Sequence, residues 1–215
     1  MSWRALRHAP RYLVGVACLE LALAAVGVRS RGRLLAGAVV VLMLFFRDPG
    51  RDLGPEGGVV YAPADGTLVK VDQVQDPWVP GVEATRITTF LSLHNVHVTR
   101  SPVAGTITEE QDVKGGYRPA FLPRAEANRR RRMAIDGQRG RVVVVQVAGL
   151  VARKISAWVS LGENLTPGQR LGLIHFGSRT DVLLPAGSAD VLVSAGDRVK
   201  AGQTPLARYR EAVVA

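Results

Sequence analysis

Two stretches of the chain repeat one another: SLGENLTPGQRLG (residues 160–172) and SAGDRVKAGQTPL (residues 194–206). Serine, glycine, glycine and glutamine recur at the same offsets. Each stretch sets a glycine turn, an apolar residue and a second Gly-Gln turn ahead of a strand. Glycine supplies backbone conformations that other residues resist, so its placement marks where the chain must reverse. Outward from this pair the rest of the sequence has the same texture. GGVVYAPADGTLVKV, RITTFLSL, NVHVTRSPVAGTI, RVVVVQVAG, RKISAWVSL, RLGLIHFG and ADVLVSAG are short β-rich runs bounded by glycine and proline. Strands this short and this closely spaced predict a compact, mainly β sandwich or barrel.

The 215 residues suit one domain with a sizeable core plus an appendage. The appendage is N-terminal. YLVGVACLELALAAVGV (12–28) and LLAGAVVVLMLFF (34–46) are apolar, and Arg4, Arg7 and Arg11 precede them. As helices they cover about 25 and about 20 Å, short against a hydrocarbon core of about 30 Å. Glu20 sits inside the first, where a charge is costly. A tilted helical membrane hairpin or an interfacial anchor over residues 1–46 is expected, with the core over 47–215. The second apolar run and the lack of a small-residue cleavage site argue against a removed signal peptide. Arginines on both flanks leave the hairpin's orientation open.

A net charge of +10 calls for an anionic partner or surface. Residues 114–141 carry the run Arg129 to Arg132 among turn formers, which reads as a solvated loop suited to anionic headgroups. No aromatic stacking platform or helix-turn-helix pattern accompanies the charge, so nucleic acid is not expected as a partner. The single cysteine, Cys18, excludes an intrachain disulfide framework and any multi-cysteine metal site, and reads as a small packing residue.

The residues able to do chemistry are few. LIHFGSRTDVLLP (173–185) places Gly177-Ser178 at the end of an apolar run, where glycine weakens a strand. LHNVHVTRSP holds His94 and His97, and PADG presents Asp65 in a turn. Three residues apart in an extended strand, the histidines fall on opposite faces, so they do not form a chelating pair unless the chain bends; no metal is expected. Aspartate, histidine and serine together are the parts that activate a hydroxyl. A hydrolase would use them, yet FGSRT is not a G-x-S-x-G elbow, and no other segment resembles an oxyanion loop.

The repeated Gly-Gln turns resemble the hairpins of barrel-sandwich domains of the biotinyl/lipoyl type. More specifically, FFRDPGR, PADG, LHNVHVTRSPVAGTI, QVAGLVARKI, GQRLGLIHFGSRTDVLLP and VKAGQTPLA resemble, in order and spacing, the short-type phosphatidylserine decarboxylases. The likeness runs from about Phe45 to Ala207. His175 stands where arginine is expected, and Gly50 where glutamate is usual. The resemblance implies self-cleavage between Gly177 and Ser178, giving a β chain, 1–177, and an α chain, 178–215, that stay together as a heterodimer. Ser178 would become a covalent pyruvoyl group, which forms a Schiff base with phosphatidylserine and yields phosphatidylethanolamine and CO2. His97 would be the base for Ser178, Asp65 its orienting group, and His94 the proton donor in decarboxylation. The enzyme would sit at the cell membrane, its core on the cytoplasmic side, as a possible higher oligomer.

Two other readings remain on the sequence. An Asp-His-Ser hydrolase would keep an intact chain, and a decarboxylase could equally act on an ether-linked serine phospholipid. A barrel-sandwich carrier would need a lysine at a hairpin tip, usually beside methionine, and neither Lys70 nor Lys200 has that setting.

Overall fold

The computed structural model describes residues 3–28, 31–53, 56–117, 127–150, 153–176 and 178–210. The chain divides into two compact units, Met1–Gly50 and Arg51–Ala215.

The first unit is helical: α1 (Trp3–Leu6), α2 (Pro10–Ala25) and α3 (Arg31–Phe45). Pro10 begins α2, where its missing N–H costs nothing. The Tyr12 and Phe46 rings lie 5.5 Å apart, so the start of α2 meets the end of α3 and the two helices run antiparallel. Leu21, Val26, Val41 and Leu44 are exposed, each by more than half. Cys18, expected to pack, is exposed as well. Among the described residues no helix is long and apolar enough to cross a membrane.

The second unit is mainly β. Its strands in chain order are β1 (Val59–Tyr61), β2 (Gly66–Gln75), β3 (Glu83–Leu91), β4 (Val98–Arg100), β5 (Gly105–Val113), β6 (Arg130–Gly137) and β7 (Gly140–Val147), then β8 (Ile155–Ala157), β9 (Asn164–Leu165), β10 (Arg170–Ile174), β11 (Ser178–Pro185), β12 (Ala189–Val191), β13 (Arg198–Val199) and β14 (Pro205–Tyr209). One large sheet has the order β13-β2-β3-β11-β7-β6-β5-β9, and two small ones the orders β1-β14-β12 and β4-β10-β8. The valine run of β7 is buried on both faces, as expected of a central strand. Val142 and Val144 join the main core with Leu68, Ile87, Val182 and Leu184, while Val143, Val145 and Val147 pack on the reverse face.

The sequence repeat is half of a structural duplication. β1 pairs with β14 as β4 pairs with β10, and β13 pairs with β2 as β9 pairs with β5. Equivalent hydrogen bonds close both copies. Gly202 N–H donates to Ala62 O and Gly168 N–H to Ser101 O, each at 2.8 Å. Leu68 N–H donates to Asp197 O as Ile107 N–H does to Glu163 O. The four repeated glycines, Gly162, Gly168, Gly196 and Gly202, all have φ between +72° and +100°, which explains their recurrence. The other halves, PADGTL (63–68) and PVAGTI (102–107), repeat too.

The arginine run corrects the loop reading. Arg130, Arg131 and Arg132 belong to β6, and alternation sends them to opposite faces of the sheet. Arg131 bonds Glu110 at 2.6 Å. Arg132 bonds both oxygens of Asp76 and stacks 4.6 Å over the Trp78 ring. Acidic residues on β5 and in the β2–β3 hairpin are within reach, so the Arg131 and Arg132 charges are paired inside the fold.

Candidate active site

Ser178 opens β11, the strand held between β3 and β7; it faces Leu91 of β3, and Arg179 faces Val147 of β7. Val182 and Leu184 enter the main core, so Ser178 and Thr180 share that inward face. Ser178 is fully buried, and its Oγ has no hydrogen-bond partner among the described residues. The Thr89 and Thr180 hydroxyls and Gln146 Oε1 are likewise buried without partners among the described residues. Register puts Thr180 directly between Thr89 and Gln146, so the core ends at Ser178 in a polar patch. Burying a hydroxyl without a hydrogen bond costs about 1–3 kcal/mol, a cost that calls for an explanation wherever a fold carries it.

Two chain crossings meet at this corner. Ser92–His97 carries the chain from β3 to β4, and residues 175–177 carry it from β10 to β11. The pairing of Ser178 with Leu91 fixes one end of both crossings. Leu173 opposite Val98, with Ile174 N–H donating to His97 O at 3.2 Å, fixes the other. The topology therefore lays the segment with both histidines beside the segment that precedes Ser178.

The bend that the spacing of His94 and His97 would require is present. Asn95 N–H donates to Ser92 O, and Asn95 Oδ1 accepts from Ser92 N–H, both at 2.9 Å. Beyond this turn the histidines part: His94 is exposed and His97 fully buried. His97 Nδ1 lies 2.9 Å from Asn95 O. A carbonyl only accepts, so Nδ1 carries the proton, and in the neutral ring Nε2 holds the basic lone pair.

Asp65 lies in the turn between β1 and β2. Arg51 Nη2 donates to both its oxygens, at 2.8 and 2.7 Å, and the Ala201 amide donates to Oδ1 at 2.8 Å. Arg51 Nη1 also donates to Gln203 Oε1 at 3.2 Å. The carboxylate thus ties the β1–β2 turn to the second repeat, and the group on His97 Nδ1 is the Asn95 carbonyl instead.

Gly177 lies outside the described residues. Phe176, just before it, has φ +45°, a left-handed conformation that bulky side chains resist. His175 is fully buried, its N–H donating to Lys154 O at 2.9 Å and its Nε2 hydrogen bonded to Ser156 Oγ at 3.0 Å. Sequence reasoning missed Arg51, Asn95 and Ser156. Asparagine between two histidines was a legible turn signal, and Arg51 stood in FFRDPGR with no visible partner. Ser156 carried no signal.

The buried serine and the strained residue before it thus lie at a corner where the segment with both histidines also runs. A sequence model described as phosphatidylserine decarboxylase matches residues 40–207. The phosphatidylserine decarboxylase proenzyme of Symbiobacterium thermophilum is 46% identical over 179 residues, 82% of this chain and 83% of that protein. Those of Nitrosomonas eutropha, 46% over 173 residues (80% of this chain, 79% of that one), and Paraburkholderia xenovorans, 43% over 171 (79% and 80%), are similar. The chain belongs to the phosphatidylserine decarboxylase family.

Proposed function

We propose that this chain is the precursor of a phosphatidylserine decarboxylase that breaks its own backbone before Ser178. The observation that carries the reading is the buried, unpartnered Ser178 Oγ at a strained crossing. Ser178 Oγ attacks the Gly177 carbonyl carbon. The C–N bond breaks, the hydroxyl proton passes through His97 Nε2 to the departing nitrogen, and an ester replaces the amide. A base then removes the Ser178 Cα proton, and the Gly177 carboxylate leaves with the Oγ electron pair. One water adds to the dehydroalanine that remains, ammonia departs, and a pyruvoyl group caps residues 178–215.

Residues at the site fit that group. It retains the backbone position of Ser178, and the hydroxyls of Thr89 and Thr180 and the Gln146 amide form a polar patch next to it. Its carbonyl supplies an electron sink for a substrate amine. His94, exposed on the adjoining turn, meets substrate from outside and delivers the proton that replaces the carboxylate. Asp65 acts through Arg51 and Ala201, fixing the turn that starts β2. The core is a barrel-sandwich of the biotinyl/lipoyl kind, a reading supported by the duplicated hairpins. The apolar side chains exposed on α2 and α3, with arginines at the helix ends, suit an interfacial anchor in a membrane that presents anionic lipid.

Intact-mass analysis of active protein tests the reading. Two chains are expected, the smaller beginning at residue 178 with a carbonyl-reactive terminus. A single continuous chain in active material, labelled at Ser178 by a hydroxyl-directed phosphonate, would instead establish the hydrolase.

A further inference from the structure

We infer that the buried Ser156–His175 pair is the clamp that holds Phe176, just ahead of the scissile junction, in its strained conformation, so that Ser156 and His175 are positioning residues for self-cleavage. This inference rests on the self-cleavage reading above. β10 ends at Ile174, yet the next residue is not released. His175 N–H continues the ladder to Lys154 O at 2.9 Å, just beyond β8, and its ring is tied to Ser156 Oγ of β8 at 3.0 Å. His175 is fully buried and Ser156 nearly so, which shields the bond from competing water. Three residues on, the chain is held again in the large sheet, where Ser178 pairs with Leu91 of β3 and Arg179 with Val147 of β7.

One end of the crossing therefore belongs to a small sheet and the other to the large one. Only Phe176 and Gly177 remain to make the passage. Phe176 takes φ +45°, a conformation that persists in a non-glycine residue only where its surroundings over-determine it. The Ser156–His175 bond is the side-chain part of that determination on the upstream side. Released from it, His175 and Phe176 would relax toward ordinary backbone angles, and the chain would no longer be delivered to Ser178 in one fixed conformation. A displacement of about 1 Å at a reacting centre can cost about a hundredfold in rate; a clamp that the backbone bond to Lys154 shares should cost less when half of it is removed.

Cell-free synthesis of the full chain, sampled over time by intact mass, measures self-cleavage directly. The unaltered chain must release the fragment that begins at residue 178; if it does not, the self-cleavage reading fails, and the clamp with it. Given that cleavage, S156A is expected to slow it about tenfold, or about 1.4 kcal/mol of barrier. S156T, which keeps the hydroxyl, is expected to cleave within threefold of the unaltered chain. Cleavage of S156A at the unaltered rate overturns the clamp. So does S156T as slow as S156A, since the loss would then come from disturbing β8 and not from the hydroxyl. Should S156A lack a cooperative melting transition, the comparison moves to the other side of the bond. H175L is then expected to be slow and H175Q, whose amide reaches Ser156 Oγ, close to the unaltered rate; equal rates for the two overturn the inference.

Discussion

Replacing Asp65 by alanine asks whether this carboxylate works on the histidine or on the fold. Its three hydrogen bonds go to Arg51 Nη2, twice, and to the Ala201 amide. The Arg51 side chain is 8% exposed and that of Asp65 14%. Removing one partner of a buried ion pair costs about 3–5 kcal/mol, because the other charge stays behind uncompensated. The residual exposure of Asp65 points to the low end, about 3 kcal/mol, or about 6–12 °C for a domain of this size. The measurement is urea or thermal unfolding of D65A in an S178A background, so that every chain compared is uncut. Adding Arg51→Met removes the stranded guanidinium and should recover at least half of the loss, a non-additivity expected only of groups in contact. A D65A chain as stable as its parent, combined with a loss of cleavage as large as that of His97→Gln, would refute the structural role and put Asp65 on the histidine.

His97→Gln should slow self-cleavage by about a hundredfold or more, the usual contribution of a positioned general base, with the fragment starting at residue 178 as the readout. His94→Ala should leave that fragment's appearance unchanged and lower decarboxylation in a headspace CO2 assay; uncut H94A protein would reverse the two assignments. Gly66→Ala should yield insoluble or poorly folded chain, because a Cβ there would lie 2.1 Å from the Phe90 carbonyl oxygen, a backbone atom that cannot swing aside. Burial pushes the Tyr209 hydroxyl up to about 12 from its ordinary value of 10.0. The folded state therefore holds that proton more tightly than the unfolded state does, and its stabilising share is complete below about pH 10 and lost as pH rises toward about 12. Tyr209→Phe should flatten that part of a stability-against-pH curve. The Arg86 guanidinium holds the Asp72 carboxyl below the ordinary carboxylate range, so its share is lost on the acid side as pH falls through the lowered value, and Asp72→Asn should blunt the loss.

Much of the fold was legible because glycine leaves a positional record. Gly162, Gly168, Gly196 and Gly202 all need left-handed backbone, and that need shows in the sequence as a spacing. The partner halves, PADGTL and PVAGTI, repeat less obviously, because Asp65 and Ala104 do unlike jobs at equivalent points. The arginine run was misread for a related reason. Charge in sequence looks solvated, and only pairing across strands shows that Glu110 and Asp76 stand within 2.6 Å of Arg131 and Arg132. At the site, residue types that bear chemistry could be picked out, but not the contacts that set their roles. Asp65 was legible as a carboxylate in a turn, whereas Arg51 and Ala201 reach it from 14 and 136 residues away. The bond from His97 to the Asn95 carbonyl uses a backbone atom, which no residue code records.

The topology would also let a chain cut as proposed remain one body. Every strand from β11 onward would belong to the smaller product of the proposed cut, yet β11 lies between β3 and β7, β13 pairs with β2, and β14 pairs with β1, all of what would be the larger product. Val182, Leu184, Val199 and Leu206, C-terminal to the proposed cut, stand in the same core as Leu68, Ile87 and Val144 before it. Each such side chain contributes about 1.5–3 kcal/mol by burial, and none depends on the peptide bond at the crossing. A break within β10 or β11 would sever ladder contacts on both sides. The crossing between two sheets is where the covalent bond could be lost with the pairing intact, and the strained backbone of Phe176 lies there, outside both sheets.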